Sequence, residues 1–317
     1  MNKKFIISKS LSDMLKFASC LLVAFSHYYS YVVIEKQVGG GVIYKAIESL
    51  GGYLGVSVFF FLSGYGLMES EQKHHLGIWA FCQRRLSKVY FPALSVTAIW
   101  IPIAIYFGKY EYKDVGDLLY TLCWGFKDGA LWFIKTILLL YLTFYVFVHD
   151  YQKNKYTAHI LFIVLICIIY MYNHINIGDW SAISIPMFYL GALLSLNKQN
   201  ALRGVLAPFT LIAILVCGIS FYHGGLSLGG HAFINYIVMI AFTLAIIFTP
   251  VGKVEFRFSA FFGALSFDVY LTHNKVLYVL KDTTDFLPVW QWIIVTVIAT
   301  VLLYTVRKIV FRTTIQN

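Results

Sequence analysis

Leu54-Gly55-Val56-Ser57-Val58-Phe59-Phe60-Phe61-Leu62-Ser63-Gly64-Tyr65 contains no charged residue and lies inside an apolar run over 52–68. Runs of this kind recur along the chain. A helix that crosses a bilayer needs roughly 20 mostly apolar residues. Candidates fall at 14–33, 52–68, 89–107, 131–149, 157–173, 183–197, 205–222, 231–250, 259–280 and 289–306. The pattern predicts an all-α integral membrane protein, a bundle of about 10 transmembrane helices. The runs at 157–173 and 183–197 are short for a full crossing, so the count there is open by one or two.

Composition excludes a water-soluble domain. The 317 residues are 59% hydrophobic, 18% aromatic and only 13% charged, whereas soluble domains carry roughly a quarter charged residues. No polar shell is available to cover so apolar a core. The net charge of +10 is spread in short clusters between apolar runs, the way orientation in a bilayer is encoded, and not as a nucleic-acid-binding patch. With the N-terminus inside, sixteen of the 25 Lys and Arg residues fall in cytoplasmic segments and six in outer loops, and all six arginines are inside. An even number of spans with N- and C-termini cytoplasmic follows. Residues 1–317 are expected to form a single membrane domain without a separate soluble one. The start of the chain, with Lys3 and Lys4, reads as an uncleaved first helix because Asp13 and Lys16 interrupt any signal-peptide core. Cys20, Cys82, Cys123, Cys167 and Cys217 are scattered, so neither a disulfide framework nor a metal site is expected.

Ionisable groups inside such runs are costly, at least about 2.5–3.5 kcal/mol at mid-bilayer, and mark functional sites by default. Asp13 and Lys16 are three residues apart and can pair on one helix face. His27 lies eleven residues after Lys16, close to three full turns, hence on the same stripe and roughly 16 Å away. In the ninth run, Ser266, Tyr270 and His273 stand at i, i+4 and i+7, a hydroxyl, a phenol and an imidazole on one face. Such a face serves either as interhelical glue or as the wall of a wet cavity. Asp268 points elsewhere and needs its own partner. The loop expected over 69–88 ends in Arg84-Arg85-Leu86-Ser87-Lys88, suited to anchoring at the inner surface or to gripping phosphate.

These residues together resemble the membrane-bound acyltransferase-3 family, which O-acylates bacterial surface and other glycans. Asp13-Met14-Leu15-Lys16 with His27 resembles its D-G-L-R opening and following histidine. The stretch 54–65 is similar to its G-V-x-x-F-F-x-L-S-G signature, and Arg84 to Lys88 to its R-R-x-x-R stretch before a proline. Leu131-Trp132-Phe133 matches its L-W-F segment, and Ser266 to His273 its S-[FY]-x-x-Y-L-x-H block. Five blocks in order cover residues 13 to 273. Two departures stand out: Lys16 and Lys88 replace arginines, keeping charge but losing a planar fork.

The resemblance implies an O-acetyltransferase of the bacterial inner (cytoplasmic) membrane that takes an acyl group, acetyl in first place, from cytoplasmic acyl-CoA. It implies acyl-CoA as co-substrate, acetyl-CoA in first place, and as acceptor a hydroxyl of a cell-surface or lipid-linked polysaccharide, with no bound cofactor and no nucleic acid expected. It assigns Arg84, Arg85 and Lys88 to the donor, His27 to general base with Lys16 and Asp13 beside it, and Ser266, Tyr270 and His273 to the acceptor side or an acyl relay. The rival is a transporter or glycan-polymerase-like protein with an intramembrane polar pathway. The inverted repeats of transporters are not found, and polymerases of that kind would place functional arginines in outer loops. A catalytically lapsed scaffold is a third reading, opposed by the presence of both His27 and His273.

Overall fold

The computed structural model describes residues 6–38, 41–109, 114–125, 132–148, 163, 167, 183–198, 200–283 and 285–315. Among these every regular element is helical: α1 (Lys9–Ser30), α2 (Val42–His74), α3 (Ile78–Arg85), α4 (Phe91–Tyr106), α5 (Val115–Tyr120), α6 (Trp132–Val148), α7 (Pro186–Leu196), α8 (Ala201–Phe248), α9 (Ser259–Leu280) and α10 (Val289–Ile315). Among the described residues, five helical stretches are long and apolar enough to cross a membrane: Lys9–Glu35, Val42–His74, Ile78–Tyr106, Gly204–Phe248 and Val289–Val306. The protein is a helical membrane protein. Of the expected run at 157–173 all but residues 163 and 167 lie outside the described residues.

Two boundaries and the character of one expected span differ from the sequence expectation, each for a physical reason. The expected runs 205–222 and 231–250 both lie in α8, which folds back at Gly225 (φ 59°, ψ −149°). Phe209 then packs on Tyr236, ring centroids 5.9 Å apart, so the two arms run antiparallel. The positive φ suits glycine alone among common residues. The predicted loop over 69–88 is mostly helical, because α2 continues to His74 and α3 begins at Ile78. A π-helical turn, Leu86–Tyr90, joins α3 to α4. Pro92 has no N–H to give the carbonyl one turn back, and the Phe91 N–H bonds Leu86 instead. Lastly, α9 is not apolar enough to stand among the five stretches. Ser266, Asp268, Thr272, His273 and Lys275 dilute it, and all five are buried in the protein.

Glycines set the core. A Cβ on Gly55 would meet Val23 and the Ser19 carbonyl of α1, and one on Gly64 would strike the Phe188 carbonyl of α7. Gly191 of α7 is pressed in turn against the Phe61 carbonyl. The stretch 54–65 thus seats α1 on one side and α7 on the other by backbone approach, as small residues do between membrane helices. α7 is buried all round, from Pro186 to Ser195, which accounts for a helix that is apolar on every face.

The loops gather on two faces. At the first, Tyr65 Oη accepts the N–H groups of Ile6 and Ile7 (3.1 and 3.2 Å), and the Ser8 N–H donates to Gly252 O at 2.6 Å. Glu69 there accepts from Ser195 and pairs with Lys198. At the second, Tyr28 Oη donates to Leu287 O (2.8 Å), Lys281 pairs with Glu35 (2.8 Å) and Lys109 with Asp282. The Arg84–Lys88 segment follows α2 on the first face.

Candidate active site

α1 and α9 lie side by side and bring the two histidines together. His273 is fully buried. Its Nδ1 stands 3.0 Å from Val269 O, and its Nε2 stands 3.2 Å from His27 Nδ1. A carbonyl only accepts, so the proton of neutral His273 is on Nδ1 and its Nε2 is an acceptor. His27 therefore donates through Nδ1–H and carries its basic lone pair on Nε2. The Trp292 indole of α10 donates to the His273 carbonyl (3.1 Å) and stacks on Tyr28 of α1, centroids 4.9 Å apart, clamping the pair from behind.

His27 lines a cavity of about 520 Å³. Trp132 and Tyr270 face it with Tyr53, whose ring stacks on His231 at 5.2 Å. Hydroxyls of Ser26, Ser30 and Ser184 line it too, with Glu48. Ser30 Oγ lies 3.4 Å from Glu48 Oε1 and Ser26 Oγ donates to Glu48 O at 3.0 Å. Ser184 is held from behind by Ser57 (3.1 Å), which also accepts from Asn235 (3.0 Å). Aromatic faces with hydroxyl and carboxylate groups suit a polyol. On its other side His27 borders a second cavity of about 300 Å³, with Asn274 and the Glu35–Lys281 pair.

The cationic residues sit apart. Lys16 is within electrostatic reach of Asp13, Lys9, Arg85 and Lys88. Asp13 nests against Gly263 of α9, where a Cβ would come within 2.6 Å of its own Cβ. Arg85 lies over two rings, 5.5 Å from Phe81 and 5.4 Å from Tyr141. Its Nε is buried with no acceptor among the described residues. Arg84 and Lys88 are exposed. A cluster of this kind can hold a multiply charged anion.

The structure thus divides the predicted residues. Tyr270, His273 and His27 meet at one level of the bundle, while Asp13, Lys16, Arg85 and Lys88 meet at another. None of the second group lines the His27 cavity. Ser266 lies between them; its hydroxyl donates to Gly263 O of its own helix (2.8 Å), and it does not border that cavity. Asp268, fully buried, lies beside Cys20 of α1. Glu48, Tyr53, His231 and Trp292 were not singled out from sequence. Glu48 lies ahead of the expected start of its span, and no spacing connects the others to His27.

The family comparison completes the picture. A family model described as an acyltransferase domain matches residues 12–308. No curated protein and no solved structure matches the chain. The match begins next to Asp13, runs past His27, the 54–65 signature and His273, and ends within α10: the chain belongs to the acyltransferase-3 family and is a membrane acyltransferase.

Proposed function

We propose that the protein moves an acetyl group from cytoplasmic acetyl-CoA to a hydroxyl of a cell-surface or lipid-linked polysaccharide, in the bacterial cytoplasmic membrane. The observation that carries this is the His27–His273 pair at 3.2 Å, with its tautomers fixed by Val269 O, on a cavity walled by aromatic rings and hydroxyls. His27 Nε2 takes the proton of the acceptor hydroxyl. The oxygen bonds to the thioester carbonyl carbon, the C–S bond breaks, and coenzyme A leaves as a thiol with that proton. Neutral imidazole suits such work because it titrates near neutral pH.

Arg85 grips a donor phosphate through its buried Nε, with Arg84 and Lys88 adding charge, and Asp13 holds Lys16 in the same cluster. Tyr270 and Trp132 offer the sugar ring a face. The excess of Lys and Arg in the first-face loops supports placing that face in the cytosol, next to the soluble donor. The test is acetyl transfer from radiolabelled acetyl-CoA by the full-length protein in proteoliposomes, with mass spectrometry of the surface glycan with and without the gene. Equal glycan acetylation in both strains, or full transfer by His27→Ala at normal expression, sinks the assignment.

A further inference from the structure

The charge in the His27 cavity is of one sign. α2 turns Glu48, Gly52 and Val56, spaced four residues apart on one helix face, towards it, and α1 answers with Ser26, His27 and Ser30. The two helices approach closely at this level. A Cβ on Gly51 would stand 3.1 Å from Leu22 O, and one on Gly52 would stand 3.4 Å from Ser26 Oγ. Ser26 Oγ also donates to Glu48 O at 3.0 Å, so the backbone under Glu48 is fixed against α1. The Glu48 side chain is half-buried. Its Oε1 has only the long 3.4 Å contact with Ser30 Oγ, and its Oε2 has no partner among the described residues. Lys45, one turn earlier, is exposed and forms no ion pair with it. No Lys or Arg is among the described residues that line the cavity; its other ionisable groups are the imidazoles of His27 and His231 and the phenols of Tyr53 and Tyr270. Beyond His27, in the neighbouring cavity, Lys281 already donates to both carboxylate oxygens of Glu35 (2.9 and 2.8 Å). One carboxylate thus faces the acceptor space with no cation matched to it.

A carboxylate so placed acts on a sugar in two ways. It accepts from hydroxyls, and hydrogen bonds to an ionised acceptor are the stronger ones. It also repels a second anion, which would have to leave water for a cavity that offers it no cation. Specificity is commonly built by such a repulsive element beside an attractive one. Resting on the transferase reading above, we propose that Glu48 is a specificity-determining residue: it holds a neutral sugar by its hydroxyls and excludes sugars that bear a carboxylate or a phosphate. The acceptor is then an uncharged polysaccharide and not an acidic one. The other end of α1 has the opposite sign, with Lys9, Lys16, Arg85 and Lys88 about Asp13. A polyanionic donor and an uncharged acceptor are sorted to different ends by charge alone.

Isothermal titration calorimetry of the full-length protein in detergent tests this, with a neutral β-linked glucose trisaccharide and the same trisaccharide oxidised to carboxylates at C6. The neutral form should bind more tightly by about tenfold (~1.4 kcal/mol). In Glu48→Gln, which keeps the shape and removes the charge, the preference should fall to near parity, and in Glu48→Lys it should reverse. Equal binding of both sugars by the wild type, binding of neither, or a wild-type preference kept by Glu48→Gln overturns the proposal. If Glu48→Gln does not fold, the salt dependence of the wild type decides. Raising salt from about 0.05 to about 0.5 M screens the repulsion and should narrow the preference; a preference constant in salt overturns the role of Glu48. Binding is read apart from transfer. A protein that discriminates between the sugars and moves no acetyl group sinks the transferase reading alone, and one that moves acetyl but binds both sugars alike sinks the role of Glu48 alone.

Discussion

The two ends of α1 are built on opposite plans. At the His27 end the polar groups answer one another inside the protein: imidazole to imidazole at 3.2 Å, imidazole to carbonyl at 3.0 Å, and indole to carbonyl at 3.1 Å. At the Lys16 end, Lys9, Lys16, Arg85 and Lys88 crowd about Asp13, and Arg85 rests on aromatic rings with its Nε buried and no acceptor among the described residues. One end is preorganised, its proton positions fixed before any ligand arrives. The other holds like charges together, so a polyanion that binds there relieves repulsion. The first arrangement suits a reacting centre and the second a handle for a charged donor. Substitutions at the two ends should therefore separate turnover from donor affinity.

The largest effect belongs to His27→Ala. Loss of a positioned base costs about 10²–10⁴ in rate. That loss should fall on kcat, with acetyl-CoA affinity by equilibrium binding unchanged. A comparable loss of donor affinity would break the division between the ends. His273→Leu comes next. Leucine has no acceptor for the His27 Nδ1–H, so His27 loses the partner that keeps its lone pair on Nε2. A loss of about 10–100-fold, the size seen for groups that orient a reactive ligand, should appear in kcat together with an altered pH–rate profile. An unaltered profile would leave His273 as packing alone.

Much of the His27 end was legible in sequence, and much of the cationic end was not. The 3.6-residue period put Lys16 and His27 on one stripe and Tyr270 and His273 on another, and both stripes face the protein interior. Periodicity says which side of a helix is polar but not which helix lies opposite. The bond between His27 and His273, 246 residues apart, was beyond it. So was Glu48, which the expected start of the second span left in a loop although α2 begins six residues earlier, at Val42. The charged run at 84–88 suggested a loop because charge and apolarity were read as opposites. Arg85 instead lays its guanidinium on Phe81 and Tyr141, so the helix persists beneath it. Gly64 and Gly191 mark close approach in any membrane helix, but their partners, Phe188 O and Phe61 O, emerge only from the packed bundle.

Arg85→Lys should act on the donor side alone. It keeps the charge and gives up the planar stack over two rings, worth about 0.5–1 kcal/mol at exposed sites and up to ~2 kcal/mol when desolvated, along with any bidentate grip. A rise of about tenfold in KM for acetyl-CoA is expected, with kcat preserved. The reverse pattern, kcat falling at constant KM, would mean that Arg85 serves the chemistry and that the two ends are not independent.

The smallest effect probes the seam between the ends. Gly263 lies on α9 nearly three turns before His273, and a Cβ there would come within 2.6 Å of Asp13 Cβ and 2.7 Å of its Cγ. Those atoms sit close to the α1 backbone, so Asp13 cannot simply swing aside. Alanine is the better helix former by roughly 0.5–1 kcal/mol, but overpacking costs about 1–3 kcal/mol, so Gly263→Ala should lower stability modestly. Asp13 shifts away from Lys16, and a half-buried pair of this sort is worth below about 1 kcal/mol, which sets the KM change for acetyl-CoA at about 2–5-fold. The His27–His273 bond lies roughly 15 Å further along α9, so kcat and its pH profile should hold. If kcat fell with KM, the seam would transmit strain from the donor handle to the imidazole pair, and α1 would have to be treated as a single lever instead of two sites on one helix.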